Sequence, residues 1–269
     1  MPIHLLQIAK KLAHDAGKLA LKYQEKGFKI ETKGSHVNMV TEADNACEAL
    51  IIRTIKQNFP DHEIVSEESG KTGGDGSGKS EYKWIIDPID GTTNFAHKHP
   101  IFGISIAIIR NGKPIIGVVE VPALGETFWA QEGKGAFVNE TPIQVSSTNE
   151  LRDALMATGF PYDRNGPRFK KNMEMTAALY KPSHGVRRMG AASIDLCFVA
   201  AGRYDAFWEY DLKTWDVAAG KIILEEAGGT VTNMDGSSLD PKKEAILATN
   251  GRLHSKMLSE IARLGGDKI

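Results

Sequence analysis

Trp84-Ile85-Ile86-Asp87-Pro88-Ile89-Asp90-Gly91-Thr92-Thr93-Asn94-Phe95 is the stretch on which the reading of this chain turns. The apolar run predicts a short buried strand, and Asp87 is the first charge to emerge from it. Pro88 has no N–H to give a ladder and fixes its own φ, so the strand is expected to end there. Asp90 follows closely enough, across a tight turn, for both carboxylates to face one point. Gly91 lets the backbone approach a ligand, and Thr92, Thr93 and Asn94 are all good helix N-caps. Carboxylates beside the amides of a helix start attract a cation and an anion together. A phosphate bound through metal ions satisfies both.

The rest of the chain sets the frame. Its 269 residues can bury a substantial core, as one large domain or two packed halves. With 41% hydrophobic and 25% charged residues the balance is that of an ordinary soluble protein. A net charge of −1 gives no bulk attraction to nucleic acid or to an anionic membrane, and neither is expected as a partner. Cys47 and Cys197 stand far apart, which fits a reducing compartment and not a disulfide framework. The N-terminus mixes apolar and basic residues and is no secretory signal. No apolar run approaches the roughly 20 residues of a membrane span, so a cytoplasmic location is expected.

Upstream of the central stretch, Leu5, Ile8, Ala9, Leu12, Ala16, Leu19, Ala20 and Tyr23 recur at helical spacing. After a polar loop at 33–36, Thr41 and Asp44 form a [ST]-x-x-[DE] capping box that opens a second helix, running to about Phe59. A strand over 63–66 then delivers Glu67 and Glu68 at its C-terminal end. The glycine-rich segment 73–80 matches the phosphate-binding pattern G-x-x-x-x-G-K-[ST]. That pattern needs a helix at its Lys-Ser end, and the strand over 84–86 leaves no room for one. The segment reads as a flexible connector.

Downstream, runs over 102–110 and 114–121 flank Asn111-Gly112, a hairpin signal, and 126–130 and 135–138 read as further strands. From about 148 the pattern alternates. Strands are expected over 154–158, 186–188, 205–209, 230–232 and 246–249, with helices over 168–180, 191–201, 215–227 and from 253. An α+β half with an antiparallel sheet (1–148) beside an α/β half (149–269) follows.

Glu67 and Asp87 stand at strand ends and Asp216 at a helix start, positions that line ligand crevices in layered α/β folds. Two carboxylates 4 Å apart repel by about 4 kcal/mol at an effective dielectric of 20. Glu67, Asp87, Asp90 and Asp216 around one phosphate therefore require compensating ions. Oxygen donors without a plausible His/Cys set point to Mg²⁺ and not zinc. His97 and His99 read as loop residues.

At this point a resemblance emerges. Residues 84–95 resemble the first signature of the inositol monophosphatase family, and Trp215-Asp216-Val217-Ala218-Ala219-Gly220 with Glu226-Ala227-Gly228-Gly229 resembles the second. The resemblance takes in Thr41-x-x-Asp44 and Glu67-Glu68-Ser69 and covers nearly the whole chain. It implies a five-layered αβαβα sandwich, a homodimer, and lithium-sensitive, Mg²⁺-dependent hydrolysis of phosphate monoesters, with two or three ions. It implies that Glu67, Asp87 and the Ile89 carbonyl bind a first metal, that Asp87, Asp90 and Asp216 bind a second, and that Glu67 shares in a third. Thr92, hydrogen-bonded to Asp44, would orient and help deprotonate the attacking water, with no phosphoenzyme. Gly91 and Thr92 resemble the phosphate cradle, and Gly190, Ala191, Ala192 and Glu209 the positions that meet sugar hydroxyls. Two departures stand out: Ala191 where the family often has Thr, and the longer 73–79 connection. Fructose bisphosphate and 3′-phosphoadenosine nucleotide phosphatases share the fold. One bacterial relative docks on transcription antitermination machinery, and Arg187-Arg188 resembles the region involved, so a transcription-factor partner is a further reading.

Overall fold

The computed structural model describes residues 2–32, 39–74, 80–240 and 243–269. The polar loop at 33–36 and the 75–79 part of the glycine-rich connector, Lys79 included, lie outside the described residues.

Helix α1 (Pro2–Lys26) buries Leu5, Ala9, Leu12, Ala16 and Ala20, the stripe its spacing predicts. β1 (Ile30–Thr32) pairs antiparallel with β2 (Met39–Thr41), and α2 (Glu42–Asn58) follows, opened by the Thr41/Asp44 capping box. An eight-stranded sheet is then laid down by β3 (Glu63–Ser66), β4 (Gly70–Gly73), β5 (Tyr82–Asp90), β6 (Gly103–Arg110), β7 (Lys113–Val121), β8 (Glu126–Gln131), β9 (Ala136–Val138) and β10 (Thr141–Ile143). Its order is β10-β9-β8-β7-β6-β5-β3-β4, and a short helix α3 (Thr92–Ala96) lies between β5 and β6. Asn111 and Gly112 both take positive φ, which closes the β6–β7 hairpin as their sequence demands.

The remaining chain runs β11 (Leu155–Thr158), α4 (Pro167–Tyr180), β12 (Gly185–Arg187), α5 (Ala192–Ala200), β13 (Ala206–Tyr210), α6 (Thr214–Glu226), β14 (Thr230–Asn233), β15 (Ala245–Thr249) and α7 (His254–Arg263). Its five strands form a second sheet in the order β12-β11-β13-β15-β14. Each expected element of this part is present within a residue or two of its expected ends.

Three apolar cores stack the layers. Trp84, Ile86, Ile104, Ile106 and Ile108 pack one face of the large sheet against α1 and α2. From the other face Ile85, Ala107, Val119 and Val121 meet α5 and α6, which also cover the small sheet through Phe207, Ile246 and Ala248. Met156, Trp208 and Leu247 close the far side against α4 and α7. The result is the expected αβαβα sandwich, and strand alternation feeds both cores at once. All nine residues of α5 are buried, as befits a helix of the middle layer. Gly220 of α6 has no room for a side chain, because a Cβ there would stand 2.6 Å from that of Leu196 on α5.

Three local expectations give way. β5 continues through Pro88 to Asp90, and the proline sits where the β5–β6 register shifts between Asp87 and Asp90, a place a residue without an N–H can occupy. Residues 70–73, which lead into the glycine-rich segment and share Gly73 with it, are strand β4, antiparallel to β3. The N-cap of α3 is Gly91 in a left-handed conformation, φ 89°, and not one of the hydroxyl or amide residues after it.

Candidate functional site

β3 and β5 run parallel, so their C-terminal ends open on the same side of the large sheet. Glu67 follows β3, Asp87 and Asp90 end β5, and the amide of Glu67 donates to the Ile86 carbonyl at 3.2 Å. Ser105 pairs with Asp87 across the β5–β6 ladder, and its hydroxyl donates to the Trp215 carbonyl at 3.2 Å. That bond draws the first turn of α6, and with it Asp216, to the acid pair. Gly91 packs the first signature against the 190–191 segment: a Cβ there would meet the Gly190 carbonyl at 3.1 Å and the Ala191 side chain at 3.2 Å. Asn94 fastens the same junction by donating to the carbonyls of Ile101 at 2.7 Å and Met189 at 2.8 Å.

Each of three aspartates has one carboxylate oxygen held by a backbone amide. Asp87 Oδ1 accepts from Ile89 N at 3.0 Å, Asp90 Oδ2 from Ser193 N at 2.7 Å, and Asp216 Oδ2 from Lys213 N at 2.6 Å. The Ser193 hydroxyl adds a second bond to Asp90 Oδ2 at 2.6 Å. Such bonds orient the carboxylates without neutralising them. Burial, then Glu67, Asp90 and Asp216, push the Asp87 carboxyl well above its usual range. Burial pushes Asp90 up to about 6, against the lowering pull of Ser193. Asp216 is raised by burial and by Asp90.

These oxygens fit a hard divalent cation. The donors are all carboxylate, with the Ile89 carbonyl at the same turn, and their mutual repulsion is what a bound cation relieves. Among the described residues no three acidic, His or Cys side chains already stand as a closed cage. The acids stand near enough to raise one another's pKa.

Asp44 and Thr92 do meet. The Thr92 hydroxyl lies 3.3 Å from Asp44 Oδ1 and 3.1 Å from the Ile89 carbonyl. Asp44 also accepts from the Thr41 amide at 2.8 Å and from the Thr41 hydroxyl, so it caps α2 and reaches Thr92 at once. On the opposite wall Gly190 takes a positive φ of 86° before Ala191 and Ala192, both buried. Glu209 on β13 lies directly beneath Gly159, where any side chain would collide with its carboxylate. Burial and Asp216 push Glu209 up to about 8, and Arg188 opposes the shift. Cys47 and Cys197 are buried packing residues, and the His99 ring accepts from the Ile101 amide at 3.3 Å.

Sequence reasoning passes over Ser193, Gly159 and Tyr162, and it reads Arg188 only as part of a partner surface and not as a neighbour of Glu209. Tyr162 is mostly exposed, and partial desolvation, then Glu67 and Asp216, push its phenol up. Only Ser193 carried a usable signal, as a hydroxyl three residues past Gly190.

An all-oxygen acid set at two parallel strand ends and a helix start, on a five-layered αβαβα sandwich, fits a phosphatase. The model of the inositol monophosphatase family matches residues 2–265, and the chain belongs to that family. Its relatives include an inositol-1-monophosphatase of Synechocystis sp., 42% identical over 96% of this chain and 88% of that one. A Nus factor SuhB of Pseudomonas aeruginosa is 40% identical, with 96% and 95% covered. The structure of an inositol monophosphatase from Anabaena superposes with a TM-score of 0.86 at 41% identity, covering 97% of this chain and 96% of that one. The family is generally metal-dependent. No helix among the described residues is long and apolar enough to cross a membrane.

Proposed function

We propose that this protein hydrolyses inositol monophosphate and related sugar phosphates, using Mg²⁺ held by Glu67, Asp87, Ile89, Asp90 and Asp216. The observation that carries the reading is a triad of aspartates, Asp87 and Asp90 buried and Asp216 half-buried, each with one oxygen fixed by a backbone amide and each raised by its acidic neighbours. Mg²⁺, when bound, supplies Lewis acidity, lowering the pKa of water and neutralising phosphate and leaving-group charge.

The chain's own residues handle the proton and the substrate. The Thr92 oxygen is the acceptor for a proton from water, while its own hydrogen passes toward Asp44 Oδ1. With the Ile89 carbonyl engaged by a cation, Asp44 is the acceptor left to that hydroxyl. The amides of Gly91 and Thr92 take the phosphate oxygens. Gly190, Ala191, Ala192 and Glu209 form the wall that meets the sugar. Glu209 near neutral pH carries a proton part of the time, so it can donate to or accept from a hydroxyl.

Phosphate release is measured over a panel of inositol, sugar mono- and bisphosphates and 3′-phosphoadenosine nucleotides, with Mg²⁺ titrated. Inositol monophosphate is expected to lead. A preference for a bisphosphate or nucleotide would move the protein to a neighbouring specificity, and no Mg²⁺-dependent release from any member would overturn the reading. Li⁺ at tens of millimolar should inhibit in an uncompetitive or mixed manner. A second role as a transcription-factor partner is favoured by the SuhB relatives and by Arg187 and Arg188, both exposed beside the substrate wall. We take the active form to be a homodimer.

A further inference from the structure

Resting on that reading of the site, we infer that Glu48 is a positioning residue for the cation site, holding Glu67 in place through the turn on either side of it. Glu48 is 3% exposed on α2. Its Oε2 accepts from the Ser66 hydroxyl and from the Glu68 amide, the latter at 3.0 Å, and its Oε1 accepts from the Ser69 hydroxyl. The three donors are the residue before Glu67 and the two after it. The amide of Glu67 is tied to β5 through Ile86. The turn is thus fastened on both flanks, and its central residue is aimed at the acid cluster.

The chemistry calls for a carboxylate. An ionised carboxylate only accepts, and it has room for three donors; a carboxamide would turn an N–H₂ toward at least one of them. Charge-assisted bonds to two hydroxyls and an amide also compensate a buried charge that would otherwise be costly. Asp44 and Glu48 are four residues apart on α2 and so share a face. Asp44 reaches Thr92 and Glu48 grips the Glu67 turn, which makes α2 the element that sets the proton acceptor and the cation ligand relative to each other.

Glu48→Gln in the full chain tests this, with Mg²⁺ affinity measured by calorimetry, amide exchange over 66–69, kcat at saturating Mg²⁺, and melting temperature. Outer partners of metal ligands typically tune affinity by about 10- to 100-fold, and the variant is expected to weaken Mg²⁺ binding by that amount. Exchange of the Glu68 amide should accelerate, and kcat at saturating Mg²⁺ should stay within about threefold of wild type, since Glu48 reaches no reacting atom. Ser69→Ala, which removes one donor and leaves the charge, should give a smaller affinity loss in the same direction and guards against a Gln variant that fails to fold. A lowered melting temperature with unchanged Mg²⁺ affinity in both variants would reduce Glu48 to a structural residue and overturn the inference. A wild-type protein that binds no Mg²⁺ would instead overturn the reading of the site itself.

Discussion

Asp44 in α2 and Asp216 in α6 hold the same local post. Each is the third residue of its helix, and each accepts the amide of the residue before the helix, Thr41 at 2.8 Å and Lys213 at 2.6 Å. Their surroundings differ. Hydroxyls of Thr41 and Thr92 complete the shell of Asp44, so its charge is answered by hydrogen bonds. Asp216 faces Asp90 and Glu67 and is pushed far up by burial and by them. The capping geometry is common to both; the neighbours differ, and on the proposed reading one carboxylate orients a proton acceptor while the other takes a cation.

The sharpest way to break this division is at the acid cluster. Asp87→Asn should abolish Mg²⁺-dependent turnover while the fold survives; a variant keeping more than about a tenth of wild-type kcat, a loss under 1.4 kcal/mol, would remove Asp87 from the centre of the site. Next in size, Thr92→Ala and Asp44→Asn should each lower kcat by about 10²–10⁴ with Mg²⁺ affinity little changed. The double variant should be little worse than the poorer single one, and Thr92→Ser should keep much of the rate. Losses that multiply would show two independent roles.

Stability separates the two aspartates by sign. In cation-free protein Asp90 holds its proton up to about pH 6 and Glu209 up to about pH 8, with Asp87 and Asp216 raised as well. The unfolded chain releases these protons near pH 4. The native state therefore binds more protons across this window, and stability falls as pH rises through it. The cation-free melting temperature should be lower at pH 8.5 than at 5.5, and Mg²⁺ should raise it more at 8.5. Asp216→Asn should raise the cation-free value at pH 8.5, whereas Asp44→Asn should lower it at both. Shifts of the same sign in the two variants would erase the contrast.

A smaller effect runs the other way at His62. Its Nδ1 accepts from the Trp84 indole at 2.9 Å, the ring is stacked on Phe59 and Tyr82, and burial lowers its pKa. Here the unfolded state takes the proton first, so this contribution is lost as pH falls below about 6.5. His62→Gln should flatten that part of the urea-midpoint profile, and identical slopes in the two proteins would remove His62 from the account.

Residues 84–95 announced their strand, turn and acid pair because those features are local: apolar run, charge, proline, glycine. The helices and strands followed from periodicity, whereas the five layers came from the family resemblance. What stayed hidden depends on partners distant in sequence. Nothing local says that Ser193 will hold Asp90, that Asn94 will reach Met189 instead of capping α3, or that Gly159 is small because Glu209 lies beneath it. Pro88 misled for the same reason: its effect on the strand depends on what β6 does opposite, and β6 shifts its register there.

The middle layer also dictates when the molecule becomes competent. Asp90 and Ser193 are 103 positions apart, and Ser105 and Trp215 are 110 apart. Contacts closed over such long loops are slow to form during folding. Helices α5 and α6 pack between the two sheets, so both bonds are expected to close late, as the layers come together. During refolding, the fluorescence of Trp84, buried within the first sheet's core, should recover ahead of phosphate release. Enzyme activity in this architecture is a late reporter, switched on by the final docking event and silent about everything earlier.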